Sequence, residues 1–161
     1  MNINEIYEKE KIINSHFKKK YNYKSEDIFN KQVLELLCEL SEFAYETKCF
    51  KYWKKDKPSS AEITIHEFAD CLMITLCFCD LSGIDTLELV DIKEANIIEL
   101  FIEANRIASS LTIDLDKTKL IKLLSILIKI SKLLNYTDEE LNKYCTEKFT
   151  STLNMIKEKN D

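Results

Sequence analysis

Two pairs of acidic residues are the features of this sequence with the clearest chemical potential. Glu39 and Glu42 form an E-x-x-E pair, and Glu67 and Asp70 form an E-x-x-D pair. On a helix, this spacing puts the two carboxylates of each pair one turn apart on a single face. Hard divalent cations prefer oxygen ligands and commonly bridge a few carboxylates to substrate phosphates. The pairs therefore indicate a site for Mg²⁺, or Mn²⁺, that serves a nucleoside phosphate.

A lysine-rich and aromatic segment, residues 48–55, lies between the two acidic pairs. Trp53 is the only tryptophan, and a ring beside Lys51 could stack on a base while the lysine meets a phosphate. A simpler interpretation is that the aromatic rings anchor the end of a helix to the core and that the lysines are ordinary loop charges. The segment alone leaves both interpretations open.

The elements that must position these residues are predicted to be helices. The 161 residues include one glycine and one proline, and 45% are apolar and 32% charged, which favours long helices over a many-stranded β fold. We predict a single all-α domain, residues 1–161, built as a bundle of about six helices. The predicted helices cover about 3–20, 25–53, 61–81, 92–111, 117–134 and from Thr137 to near the C-terminus.

The acids of the second predicted helix have a simple alternative explanation. Glu35, Glu39, Glu42 and Glu46 fall on one face, as they would on any solvated helix. Like charges at this spacing repel unless something neutralises them, and Lys31 is the only local partner. This face therefore lacks the positive charge that would balance its acids.

The third predicted helix gives the stronger argument for a metal. Residues 68–79 are apolar on all sides and contain one ionisable carboxylate, that of Asp70. Such a helix is normally buried, and a buried carboxylate must be protonated, ion-paired or bound to a metal. An ion pair with Arg106 or a lysine would satisfy Asp70, and so would a metal shared with Glu67.

Composition and spacing argue against several other classes of function. The net charge of −5 argues against binding a nucleic acid polymer, and the most apolar stretch, 120–134, is interrupted by lysines and too short to span a bilayer. Six cysteines without C-x-x-C spacing indicate a reduced, cytoplasmic protein. Two histidines and no cysteine cluster argue against structural zinc, and the lack of Glu-x-x-His argues against a di-iron bundle. One glycine leaves no glycine-rich phosphate loop.

Taken in order, the motifs resemble those of the dimeric dUTPase family, within the all-α, MazG-like nucleoside triphosphate pyrophosphatases. The residues that carry the resemblance are E-L-S-E at 39–42, F-K-Y-W at 50–53 and E-F-A-D at 67–70. The resemblance implies a homodimer that hydrolyses dUTP to dUMP and diphosphate. It also implies a catalytic role for Glu39, metal binding by Glu39, Glu42, Glu67 and Asp70, and substrate binding by Phe50, Lys51, Trp53, Lys54 and Lys148.

Two alternatives to dUTP hydrolysis stay open on the sequence. The family's C-terminal basic pattern is retained only at Lys148, so the metal chemistry has more support than the uracil specificity. A house-cleaning pyrophosphatase for another nucleotide would keep the mechanism and change the base. A non-catalytic helical dimer would bind metal or nucleotide in the same acidic pocket. For the dUTP-hydrolysing enzyme we expect the dimer to form through the fourth and fifth helices.

Overall fold

Within residues 1–158, which the computed structural model describes, the chain forms six α-helices and no β-strand. In chain order these are α1 (Ile3–Tyr21), α2 (Ser25–Thr47), α3 (Ala61–Leu81), α4 (Ile97–Ser110), α5 (Lys117–Leu133) and α6 (Asp138–Glu158). The predicted all-α class and the predicted number of helices are confirmed.

Polar side chains fix the start of most helices by accepting hydrogen bonds from free backbone N–H groups. Ser60 caps α3 through Ile63 N–H, and Asp116 caps α5 through Lys119 N–H. A capping box starts α6, because Thr137 and Glu140 bond reciprocally to each other's backbone N–H. Such caps stabilise a helix by about 1 kcal/mol each.

Two predicted helix boundaries were wrong. The second helix ends at Thr47 and not near Trp53, because Lys48 adopts a left-handed conformation with φ 57° that closes the last turn. The fourth helix starts at Ile97 and not near Ile92, because Asn96 forms a capping box with Glu99. The residues before Asn96 are therefore an irregular connection, although several of them are apolar.

The third helix occupies the centre of the bundle. It packs against α1, α2, α5 and α6, and eleven of its residues are buried. This agrees with its apolar character on all sides and explains why it has few positions for charged residues. The fifth helix, one of the two through which the dimer is expected to form, buries eight residues against α3 and α4. No helix within the described residues combines the length and apolar character that crossing a membrane requires.

Candidate active site

The two acidic motifs meet because α2 and α3 pack against each other in opposite directions. Phe43, which follows the first acidic motif, and Phe68, which lies inside the second, form an edge-to-face contact with ring centroids 6.1 Å apart. Both rings are fully buried, so they fix the relative height of the two helices. The acids that flank them consequently point to one side of the helix pair.

Three carboxylates converge at this point. One oxygen each from Glu39, Glu67 and Asp70 lies within 4.8 Å of the other two, and all three residues are half-buried. Glu42 is exposed and is not in this group of three, although its charge is close enough to raise the pKa of Glu39 and of Glu67. The structure thus brings three of the four predicted metal ligands together and leaves the fourth at the edge.

The carboxylates of Glu39, Glu67 and Asp70, called the acidic cluster below, have too little positive charge around them. Burial raises the pKa of Glu39 to about 7, with further contributions from the charges of Asp70, Glu42 and Glu67. Burial likewise raises the pKa of Glu67, followed by the charges of Asp70 and Glu42. Partial desolvation and mutual repulsion both disfavour the ionised forms, and a bound cation would relieve both.

One cation from elsewhere in the bundle reaches the cluster. Lys148 on α6 forms a short ion pair with Asp70, and its charge opposes the rise in the pKa of Glu39 and Glu67. The ion pair that the sequence left open as the alternative to metal binding by Asp70 is made by a lysine, whereas Arg106 pairs with Glu103. Among residues 1–158, no cation forms an ion pair with Glu39 or Glu67.

A cavity of about 500 Å³ opens beside the acidic cluster. Its wall combines side chains from α1, α2, α3 and α6. The polar and charged members of the wall include Glu10, Asn14, Gln32, Glu39, Asp70 and Lys148. Apolar side chains such as Ile13, Phe17 and Met73 complete it. A cavity of this size, apolar with a few convergent polar groups, is typical of a small-molecule site.

The geometry of the acids fits a divalent cation. Mg²⁺ lies about 2.0–2.1 Å from its ligand oxygens, so ligands on opposite sides of the ion are about 4.2 Å apart. Oxygens of Glu39, Glu67 and Asp70 that already lie within 4.8 Å of one another need only small side-chain movements to reach this spacing. An all-carboxylate set also matches the preference of Mg²⁺ and Mn²⁺ for oxygen.

The remaining predicted site residues lie in the connection between α2 and α3. Lys51 and Lys54 both pair with Asp56, at 2.5 and 3.0 Å. Phe50 and Trp53 contact each other, with ring centroids 6.0 Å apart and 62% of Trp53 exposed. None of these four predicted substrate-binding residues lines the cavity beside the acids.

Glu10, which the sequence analysis did not assign to the site, is 4% exposed and lines the same cavity. A signal was present, because Glu10 falls on the buried stripe of α1 between Tyr7 and Ile13. A carboxylate at the helical spacing of an apolar stripe indicates either a buried partner or a cavity.

Comparison with known proteins identifies a family. The family model for dUTPase matches residues 2–161, which is almost the whole chain and includes both acidic motifs and Lys148. No curated protein and no solved structure matches the chain significantly.

Proposed function

Since this chain belongs to the dimeric all-α dUTPase family, we propose that Glu39, Glu67 and Asp70 hold the divalent cation with which it hydrolyses dUTP. Membership of the family makes the chain a dUTP diphosphatase, a hydrolase that converts dUTP and water into dUMP and diphosphate. It does not favour the two alternatives left open by the sequence. The observation that carries the assignment of residues is the convergence of three carboxylate oxygens beside a cavity of nucleotide size.

The family depends on divalent metal, and we assign the ion as Mg²⁺, with Mn²⁺ as the other candidate. When bound, such a cation neutralises phosphate charge and stabilises the charge that develops on phosphoryl oxygens in the transition state. Glu42 belongs to the proposal as a peripheral acid, since its charge acts on Glu39 and Glu67 without its oxygens joining the cluster.

We assign to Glu39 the role of activating the water that attacks the phosphate. Its carboxylate lies in the cluster and also lines the cavity, so it faces both the cation and the substrate. Burial and the neighbouring carboxylates raise its pKa without metal, and a bound cation would favour the ionised carboxylate, which is the form that accepts a proton. In this role Glu39 orients the water and accepts a proton from it.

We propose that Lys148 binds a phosphate of the substrate. Its ammonium group pairs with Asp70 at the side of the cavity, within reach of any anion that enters. Binding of a cation to Asp70 would release the ammonium group, which is then free to pair with a phosphate oxygen. Phe50, Lys51, Trp53 and Lys54 stay in the proposal as substrate-binding residues, and contact would require the connection between α2 and α3 to move toward the cavity.

The proposal also covers the oligomeric state, the cellular location and the domain organisation of the protein. A homodimer is expected from the family, and α4 exposes two isoleucines, Ile98 and Ile102, that a second copy could cover. All six cysteines are free, which agrees with a reducing, cytoplasmic location. We further propose that the chain acts as one domain.

Release of diphosphate from dUTP in the presence of Mg²⁺ tests the assignment of the acids. Glu39→Gln, Glu67→Gln and Asp70→Asn are each expected to lower kcat/KM by roughly a hundredfold or more, since each removes charge at the reacting phosphate. Glu62→Gln is the matched control, because Glu62 lies exposed on the first turn of α3.

Two results would contradict the proposal. Binding of dUTP without release of diphosphate would make the protein a nucleotide binder. If Glu62→Gln lowered kcat/KM as much as the three cluster variants do, the loss would come from a general disturbance of the helices and not from the acids of the cluster.

A further inference from the structure

Glu35 is an acid of the cavity wall that the proposed function leaves without a role. It lines the cavity of about 500 Å³ together with Asp70 and Lys148. Its side chain is exposed, so its carboxylate lies at the mouth of the cavity and not in the interior. Within the described part of the chain Glu35 forms no ion pair, not even with Lys31, the local partner that the sequence offers. The carboxylate is therefore available to a cation that moves within the cavity.

The packing of α2 on α3 sets how far Glu35 lies from the acidic cluster. Glu39 meets Asp70 in the cluster, and Gln32 contacts Cys77, with 3.5 Å between Nε2 and Sγ. These two pairs are seven residues apart on both helices, so α2 follows α3 in one register between them. Glu35 lies within this stretch, one turn from Glu39, or about 6 Å along the helix axis. The carboxylate of Glu35 is therefore the next acid along the cavity from the cluster.

Lys148 lies where it can serve both Asp70 and Glu35. Its ammonium group pairs with Asp70, and its side chain is 34% exposed, so the core does not lock it in place. A lysine carries a compact charge on a flexible four-carbon stem, and a shift of about one helical turn needs new rotamers but no movement of α6. Burial against the cavity wall, followed by the charge of Asp70, raises the pKa of Glu35, and the charge of Lys148 opposes this rise. Glu35 thus lies close to both members of the ion pair.

A divalent cation at the cluster would make the present position of the Lys148 ammonium group unfavourable. The two positive charges would share one carboxylate, and like charges repel at such short range. The acids that line the cavity are Glu10, Glu35, Glu39 and Asp70. Among these described residues, Glu10 is buried and two belong to the cluster, which leaves Glu35 as the exposed acid outside it.

We propose that Glu35 is the second acceptor for Lys148. When a cation occupies Asp70, the ammonium group moves one helical turn along the cavity and pairs with Glu35. Lys148 then stays at the mouth of the cavity, where a phosphate of the substrate meets it. Glu35 is a positioning residue in this role, because it acts through Lys148 and binds neither metal nor substrate. The inference rests on the proposed function, since it needs the cation at Asp70.

Binding of Mn²⁺ without nucleotide, measured by calorimetry on four chains, tests the inference. The chains are the native protein, Glu35→Gln, Lys148→Met and the double variant. Glu35→Gln should bind Mn²⁺ about twofold to fivefold more weakly than native, because the displaced ammonium group loses its second acceptor. In the Lys148→Met background the same change should have a clearly smaller effect, because only the direct attraction between Glu35 and the metal is lost. This non-additivity is the expected result.

Glu26→Gln is the matched control on the same helix. Glu26 is exposed on the first turn of α2, about 13.5 Å along the axis from Glu35. It should leave Mn²⁺ binding unchanged in the presence and in the absence of Lys148. A role of Glu35 in folding or in the general charge of the site would not depend on Lys148, so the comparison of the two backgrounds separates positioning from both.

The inference is overturned if Glu35→Gln weakens Mn²⁺ binding equally in both backgrounds, if it leaves the affinity of the native background unchanged, or if the native chain binds no Mn²⁺. Failure of the proposed function alone would look different. The native chain would then release no diphosphate from dUTP, while the four chains still bound Mn²⁺ with an effect of Glu35 that depends on Lys148.

Discussion

Lys148 is the residue that links the acidic cluster to the last helix. Its pair with Asp70 joins side chains that are 34% and 24% exposed, so it is partly shielded from solvent. A cation at the cluster and the ammonium group of Lys148 compete for the same carboxylate oxygen. The lysine therefore sets part of the affinity of the site for metal.

Lys148→Met is expected to bind Mn²⁺ about threefold to tenfold more tightly than the native chain in the absence of nucleotide, because the competing cation is gone. The same variant should show a higher KM for dUTP, because a phosphate loses its partner. Calorimetric titration with Mn²⁺ and steady-state kinetics measure the two effects. Lys143→Met, an exposed position on α6, is the control and should change neither. Weaker Mn²⁺ binding by Lys148→Met would contradict this role.

Glu10 also predicts how stability depends on pH. Its pKa is raised in the folded state by burial and by Asp80. A group of this kind contributes stability that is complete below its unfolded-state pKa and is lost as pH rises through its folded-state pKa. The Tm of the native chain should therefore fall at alkaline pH relative to Glu10→Gln, and the two should converge in acid. Thermal melts of both chains over pH measure this, and parallel curves would contradict it.

At the scale of single residues, the sequence was sufficient to place side chains whose positions depend only on spacing along one helix. Glu67 and Asp70 lie one turn apart, and their side of α3 follows from helical periodicity. The pairing of Asp70 with Lys148 joins α3 to α6 and depends on how distant elements pack, which no local pattern encodes. Glu10 was not assigned to the site because its position there depends on a cavity between four helices.

At the scale of elements, helix ends were the least predictable feature. Residues 92–96 continue an apolar and charged pattern that suits a helix, yet Asn96 and Glu99 satisfy each other's backbone N–H groups and start α4 at Ile97. A left-handed Lys48 ends α2 in a similar way, although no glycine marks the position. Local capping therefore set the end of α2 and the start of α4, although the sequence pattern that predicted a helix continues past both.

The sixth helix depends on a small apolar cluster near its C-terminal end. Ile156 is 3% exposed and packs with Ile13 of α1 and Met73 of α3. Ile156→Ala should lower the free energy of unfolding by about 2–5 kcal/mol, because a buried side chain is lost and a cavity is left. Urea denaturation measures this loss, and Asn154→Ala, at an exposed position, is the control. An unchanged unfolding midpoint for Ile156→Ala would show that the cluster does not hold α6.

At the scale of the whole molecule, α4 is one of the elements that expose large apolar side chains. Ile98 and Ile102 are 44% and 55% exposed, and a groove of about 570 Å³ runs beside Ile102 between α4 and α5. The fifth helix is largely buried in the bundle, so it offers less apolar surface to a partner than α4 does. The expected dimer interface is accordingly centred on α4.

Ile102→Glu is expected to convert the dimer to a monomer, because a charge would be buried without a partner in the interface. Light scattering after size-exclusion chromatography measures the mass of the native chain and the variant. Ile113→Glu is the control, since Ile113 is 88% exposed in the connection after α4. A native chain that elutes as a monomer, or a variant that stays dimeric, would contradict an interface on α4.

The distribution of the cavity wall over α1, α2, α3 and α6 has a consequence for protein synthesis. A nascent chain that has emerged only as far as residue 137 already contains both acidic motifs, but it lacks the helix that carries Lys148. The sixth helix must therefore emerge and pack before a nucleotide can be enclosed by all four helices. Ligand capture has to wait for α6, even though both acidic motifs are translated long before it.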